Sequence, residues 1–189
     1  MLKTSLTLGL SILLGSLCVP SWSAGVEKMN ESLGMYVPTF QVRNATGPFV
    51  NRSVCHVCQN GDRPVVMVVM REVGPKQRML LRNLDRLVAT HRAEGLRAFG
   101  VYLGDRPRED FSHVRTFAFN GRIEMPVGLS STSLGDPSQL DIPADSETTV
   151  FLYENRRVQT RMDFKQDSPS HDEIRELLEA AGQLGSLQE

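Results

Sequence analysis

Two cysteines three residues apart, in Cys55-His56-Val57-Cys58, are the side chains of this 189-residue sequence best suited to chemistry. A third, Cys18, lies in an apolar N-terminal run, residues 6–19, that follows Lys3 and is broken by Pro20. A positive start, a short apolar stretch and small residues at Ser21 and Ser23 form a secretory signal pattern over residues 1–23, with cleavage expected near Ser23 or Ala24. The run falls short of the roughly 20 apolar residues that a membrane span needs, so no lasting membrane anchor is expected after cleavage. Cleavage would leave Cys55 and Cys58 as the only cysteines of an exported chain, periplasmic or extracellular, where thiols pair readily.

Three uses of the pair stay open at this level. It can be a small structural disulfide that pins the turn around it. It can be a working redox pair that exchanges disulfides with another exported protein. It can belong to a metal site with His56, although a tetrahedral site needs four ligands and His91, His113 and His171 are scattered over expected helices. On the redox reading the catalytic residues are Cys55, Cys58 and His56. Cys55, taken as nearer the outer part of its loop, attacks; Cys58 resolves and His56 assists. A thiol reacts as its thiolate, so its pKa must be lowered. No helix start is evident at Cys55, so the help would have to come from His56, Arg52 or Arg63. A bridge over so short a loop removes little chain entropy, which favours a labile bond over a strong staple.

Other chemistries find less support. Lys plus Arg number 21 against 22 for Asp plus Glu, with no basic block, which argues against nucleic acid as the main partner. A Gly-rich phosphate loop and a serine-nucleophile motif are both missing, so no cofactor is expected. Asn30, Asn44 and Asn51 open glycosylation sequons by pattern alone.

The elements that must position the pair can be read in order. Residues 64–70, Pro-Val-Val-Met-Val-Val-Met, carry no polar residue at alternate positions, so this strand should be buried on both faces. Upstream, residues 24–35 form a loose lead-in, residues 36–42 read as a strand and residues 49–54 as its partner. Downstream, a helix runs to about Glu94, with Leu80, Leu81, Leu84, Leu87 and Val88 on one face and Arg82, Asp85, Arg86 and Arg92 on the other. Gly95 is its expected stop. Residues 96–103 make a second buried strand, and Asp105 with Pro107 opens a second helix that ends at Gly121. Residues 126–130 form a short strand and residues 131–147 a long polar loop. Residues 148–153 and 157–164 make a hairpin. Ser170 and Glu173 form a capping box for a last helix, whose buried stripe is Ile174, Leu177, Leu178 and Ala181. Right-handed crossovers make the first two buried strands parallel, in one mixed α/β sheet with helices on both faces. The expected domain is residues 36–182, with a flexible tail over residues 183–189.

This order resembles the thioredoxin fold in its redoxin, or peroxiredoxin-like, form. Pro38-Thr39-Phe40-Gln41-Val42 is similar to the opening hairpin motif of redoxins, and Gly61-Asp62-Arg63-Pro64-Val65-Val66 to their Gly-Lys-Pro-Val-Val lead into the central strand. Met125-Pro126-Val127-Gly128-Leu129-Ser130 resembles their Phe-Pro-Val-Leu-Ser strand, and Thr149-Val150-Phe151-Leu152-Tyr153 their Thr-Thr-Phe-Leu-Ile strand. The resemblance implies a central strand flanked by residues 96–103 and 148–153. It also implies a catalytic cysteine at the start of the following helix, where backbone N–H groups stabilise a thiolate. That place holds Arg71-Glu72-Val73-Gly74-Pro75-Lys76, with Val73 and Lys76 where the sulfurs would be, and Thr148 where thioredoxins place a cis-proline. The family's usual active-site cysteines are therefore absent. The chain is expected to be either a thiol–disulfide oxidoreductase working through its relocated pair or a non-catalytic binding or scaffold protein.

Overall fold

A computed structural model describes residues 33–104, 106–130, 140, 142–166 and 168–184. The signal segment, most of the lead-in, Asp105, most of the long loop and the last five residues lie outside the described residues.

The central strand is β3, Val65–Met70, and all six of its residues are buried. Its side chains alternate between two cores, as the period of a strand requires. Val66, Val68 and Met70 enter one core, and Val65, Met67 and Val69 the other. β3 pairs in parallel with β4, Arg97–Tyr102, and antiparallel with β6, Thr148–Glu154, as expected. The full sheet has seven strands in the order β2-β1-β5-β4-β3-β6-β7. β1 is Val42–Asn44, β2 Ser53–Val54, β5 Val127–Ser130 and β7 Arg157–Phe164.

Helices lie on both faces, but unequally. The chain steps from β3 through α2, Pro75–Thr90, to β4, and from β4 through α3, Pro107–Gly121, to β5. Both steps go the same way across the sheet, so two right-handed crossovers put both helices on one face. There α2, α3 and α4, His171–Gln183, bury Leu80, Leu84, Val114, Ile174 and Leu177 in the first core. Among the described residues the second core is covered by α1, His56–Asn60, together with the extended N-terminal strap of Val37, Phe40 and Val42 and by Leu140.

Several boundaries differ from expectation for physical reasons. The expected strand over residues 36–42 pairs at its two ends only: Tyr36 makes an isolated bridge to Arg157, and Val42 joins β5 and β2. Its buried residues, Val37, Phe40 and Val42, lie on the sheet as part of the second core, which needs no continuous strand pairing. α2 stops at Thr90 and not at Glu94; Gly95, at φ +93°, instead shapes the turn into β4. In α3 the N-cap is Arg106, whose backbone N–H donates to the Asp110 carboxylate at 2.7 Å. The hairpin closes on Asn155 and Arg156, both in the left-handed region, the two-residue turn whose twist matches its strands. The Ser170–Glu173 capping box forms as expected.

Candidate functional site

The cysteines sit at the junction between edge strand β2 and α1. Cys55 leaves β2 in extended geometry and is the N-cap of α1, so a helix does start at Cys55, contrary to expectation. Sequence rules missed it because Ser, Thr, Asp and Asn are the usual caps. Here the cysteine sulfur serves: Cys55 Sγ accepts the Cys58 backbone N–H at 3.1 Å. After one turn Gly61, at φ +58°, ends the helix and donates its N–H to Val57 O. Cys55 and Cys58 form a disulfide with an S–S distance of 2.01 Å and Cα atoms 5.3 Å apart.

The two halves of the bridge have different surroundings. Cys55 is buried in the second core at 9% exposure, whereas Cys58 is exposed. This reverses the expectation that Cys55 lies nearer the outside. Val57 is fully buried and anchors α1 to the sheet. At the far end of α1, the Asp62 carbonyl accepts the backbone N–H of Asn155 from the hairpin tip.

His56 points into the protein. Its ring stacks near Phe99 of β4, with centroids 5.0 Å apart, and its Nε2 lies 2.7 Å from Asn44 Oδ1. Asn44 is fully buried, and its Nδ2 donates to the carbonyls of Val42 and Arg52. With the Nδ2 group spent on two carbonyls, Oδ1 must be the atom facing His56, so Nε2 carries the proton and Nδ1 is bare. Burial lowers the His56 pKa to about 4. The imidazole is therefore neutral at pH 7 and brings no positive charge to the cysteines. Its contribution to any exchange is orientation of α1 and a bare ring nitrogen. The Arg63 guanidinium donates to Gln59 O, and Arg52 contributes its carbonyl to Asn44.

Asn44 and Phe99 are the site residues that sequence reading did not find. Asn44 was legible only as a sequon, and its buried, hydrogen-bonded amide is closed to glycosylation. No spacing rule connects it to His56, because it is the edge pairing of β1 with β2 that brings β1 beside α1.

The position that redoxins use is intact as backbone and empty of sulfur. Gly74 is the N-cap of α2, without a side-chain cap, and Pro75 opens the helix. Val73 packs against the first core, on the other face of the sheet from Cys55. As expected, this place adjoins Thr148: Gln77 Nε2 donates to Thr148 Oγ1 at 3.3 Å, and Arg71 N–H to Glu147 O at 2.8 Å. Among the described residues no group of three or more His, Cys, Asp or Glu could hold a metal ion, and no helix is long and apolar enough to cross a membrane.

No family model and no curated protein matches the sequence. Solved structures do match the fold. A peroxidoxin, BcpB, of Mycobacterium tuberculosis aligns with a TM-score of 0.59 at 15% identity, covering 80% of this chain and 96% of the other. The thioredoxin domain of a thiol-disulfide oxidoreductase from Bacteroides vulgatus gives 0.58 at 12%, covering 79% and 97%. A secreted disulfide oxidoreductase of Mycobacterium tuberculosis, homologous to DsbE of E. coli, gives 0.54 at 10%, covering 75% and 95%. The fold is thioredoxin-like, with neighbours among redoxin-type proteins, and it carries a Cys-x-x-Cys disulfide before its central strand instead of after it.

Proposed function

We propose that this chain is an exported thiol–disulfide exchange protein that works through Cys58 and Cys55. The carrying observation is the asymmetry of the bridge: an exposed Cys58 joined to a buried Cys55 whose sulfur already accepts a helix N–H. A thiolate of a partner protein attacks Cys58 Sγ. The Cys55–Cys58 bond breaks, the partner becomes disulfide-linked to Cys58, and Cys55 leaves as a thiolate with the Cys58 N–H beside it. Thiol exchange runs faster when the leaving sulfur is the better stabilised one. A second partner thiolate then attacks the partner's own sulfur and releases Cys58. The partner dithiol is oxidised to a disulfide, and the Cys55–Cys58 pair takes up the two electrons. The signal pattern and the secreted character of one structural neighbour support export.

Burial of Cys55 and its capping role support a second reading, in which the bridge is a structural staple and the domain binds partners without exchange. The reduction potential of the pair separates the two. Exchange chemistry predicts a value in the catalytic range of roughly −120 to −270 mV, and a staple one below roughly −300 mV. Alkylation of the reduced protein should mark Cys58 well before Cys55. Equal, slow labelling of both would remove the exchange reading.

A further inference from the structure

α2 carries four cations, Lys76, Arg78, Arg82 and Arg86, and a single carboxylate, Asp85. Asp85 is turned away from the arginines to serve the loop before β5. Its two oxygens accept the backbone N–H groups of Glu124 and Met125 at 2.9 and 2.8 Å. Arg78, Arg82 and Arg86 have no ion pair among the described residues. They recur every fourth residue and, with Pro75, Met79 and Asn83, line a groove of about 340 Å³ along the outer side of the helix. Arg78 is held in place, with its Cζ 5.6 Å from the centre of the Phe117 ring and its Nε buried without a hydrogen-bond partner. Arg82 and Arg86 are exposed.

We propose that this groove is a docking surface for an extended acidic segment of a protein partner, gripped by Arg78, Arg82 and Arg86. Spacing decides the chemistry. Four residues along an α-helix advance about 6 Å. Same-side residues of an extended chain lie about 6.6 to 6.8 Å apart. Carboxylates at alternate positions of such a segment meet the three guanidiniums in turn, and each can be held by two parallel N–H···O bonds. A lone phosphate would engage only part of a line this long. The groove lies on the face of the sheet that carries α2, α3 and α4, and the cysteine bridge on the other. Docking there leaves Cys58 uncovered, so the proposal stands apart from the exchange reading.

The test uses the oxidised protein and a fluorescent peptide of alternating Glu and Ser, followed by anisotropy. Binding is expected at low ionic strength and should weaken as salt screens the charges. Arg82→Glu with Arg86→Glu should weaken it at least about tenfold, the sum expected of a few exposed charge pairs. Arg82→Lys with Arg86→Lys should retain most of it, and Arg175→Glu on α4 should change nothing. Thermal melts confirm that each variant is folded. The proposal is overturned if the peptide fails to bind at about 1 mM, a level equal to only about 4 kcal/mol of affinity. Equal binding to the charge-reversed variant overturns it too. So does tighter binding, through the same arginines, of phosphatidylglycerol vesicles or a single-stranded oligonucleotide.

Discussion

α1 and the start of α2 divide between them what redoxins keep in one place. α2 is sixteen residues long and opens beside Thr148, so its first N–H groups and its dipole lie where a thiolate would be stabilised, yet Val73 and Lys76 supply no sulfur. α1 has the sulfurs but only five residues, and the helix N–H that the Cys55 sulfur receives comes from Cys58. A short helix sums few peptide dipoles, so the hydrogen bond itself is its main means of favouring a thiolate. The first turns differ as well. α3 and α4 place acids there, Glu109 and Asp110 or Asp172 and Glu173, which suit the positive end of a helix; α2 has none. A helix start with no anion of its own adds to the positive field of the arginines that follow.

The sharpest way to break this comparison is to exchange the sulfurs. Cys58→Ser should abolish oxidation of a model dithiol peptide outright. In a Cys55→Ser, Cys58→Ser background, Val73→Cys with Lys76→Cys should restore a weak activity, because Gly74-Pro75 and the N–H groups of α2 remain. A folded quadruple variant with no turnover would show that the helix start alone is not a competent site.

Smaller in effect is the acid response of α1. Folded His56 takes a proton only near pH 4, whereas an unfolded histidine takes one near 6.5. The stability it contributes is complete above about pH 6.5 and declines as the pH falls toward 4, by about 3 kcal/mol in all. His56→Gln should remove that part of the slope. Melting curves of the two proteins at pH 7, 5.5 and 4 give the difference directly, and parallel profiles would contradict the buried neutral ring. At the other region, Gln77→Ala leaves Thr148 without its partner and should cost about 1 kcal/mol in urea unfolding, with no change in exchange rate. Least of all, Gly74→Ser gives α2 the side-chain cap it lacks and should raise stability by a few tenths of a kcal/mol.

What could be read from the residues followed how locally each feature is encoded. β3 was legible because a strand apolar at every position has few other places to be, and α4 because Ser170 and Glu173 announce their own capping box. The unequal spread of helices over the two faces was not legible. It depends on which way β5 joins the sheet, a fact held by its pairing with both β4 and β1. The cysteines were visible at once, but their polarity was not. A five-residue helix has no period to detect, and the burial of Cys55 is set by Val57 and the strap, residues distant in their effect from any motif. His56 was found by its place between the cysteines. Its neutral state follows from Asn44 and Phe99, which meet it only in three dimensions.

The strap has a consequence for self-association. Gly34 N–H donates to Val158 O, Val158 N–H to Met35 O and Val37 N–H to Arg156 O, while Arg156 stacks on Tyr36 and Arg157 reaches Gly34 O. These few residues cover the start of β7, which is otherwise the outer strand of its side of the sheet. A bare strand edge is a template on which another chain can pair. Proteolytic trimming past Val37 would uncover that template and open one side of the core around Val158 at the same stroke. The cut protein should then gather into dimers or fibres through β7, and peptides copying residues 33–38 should slow the process by taking the vacant place.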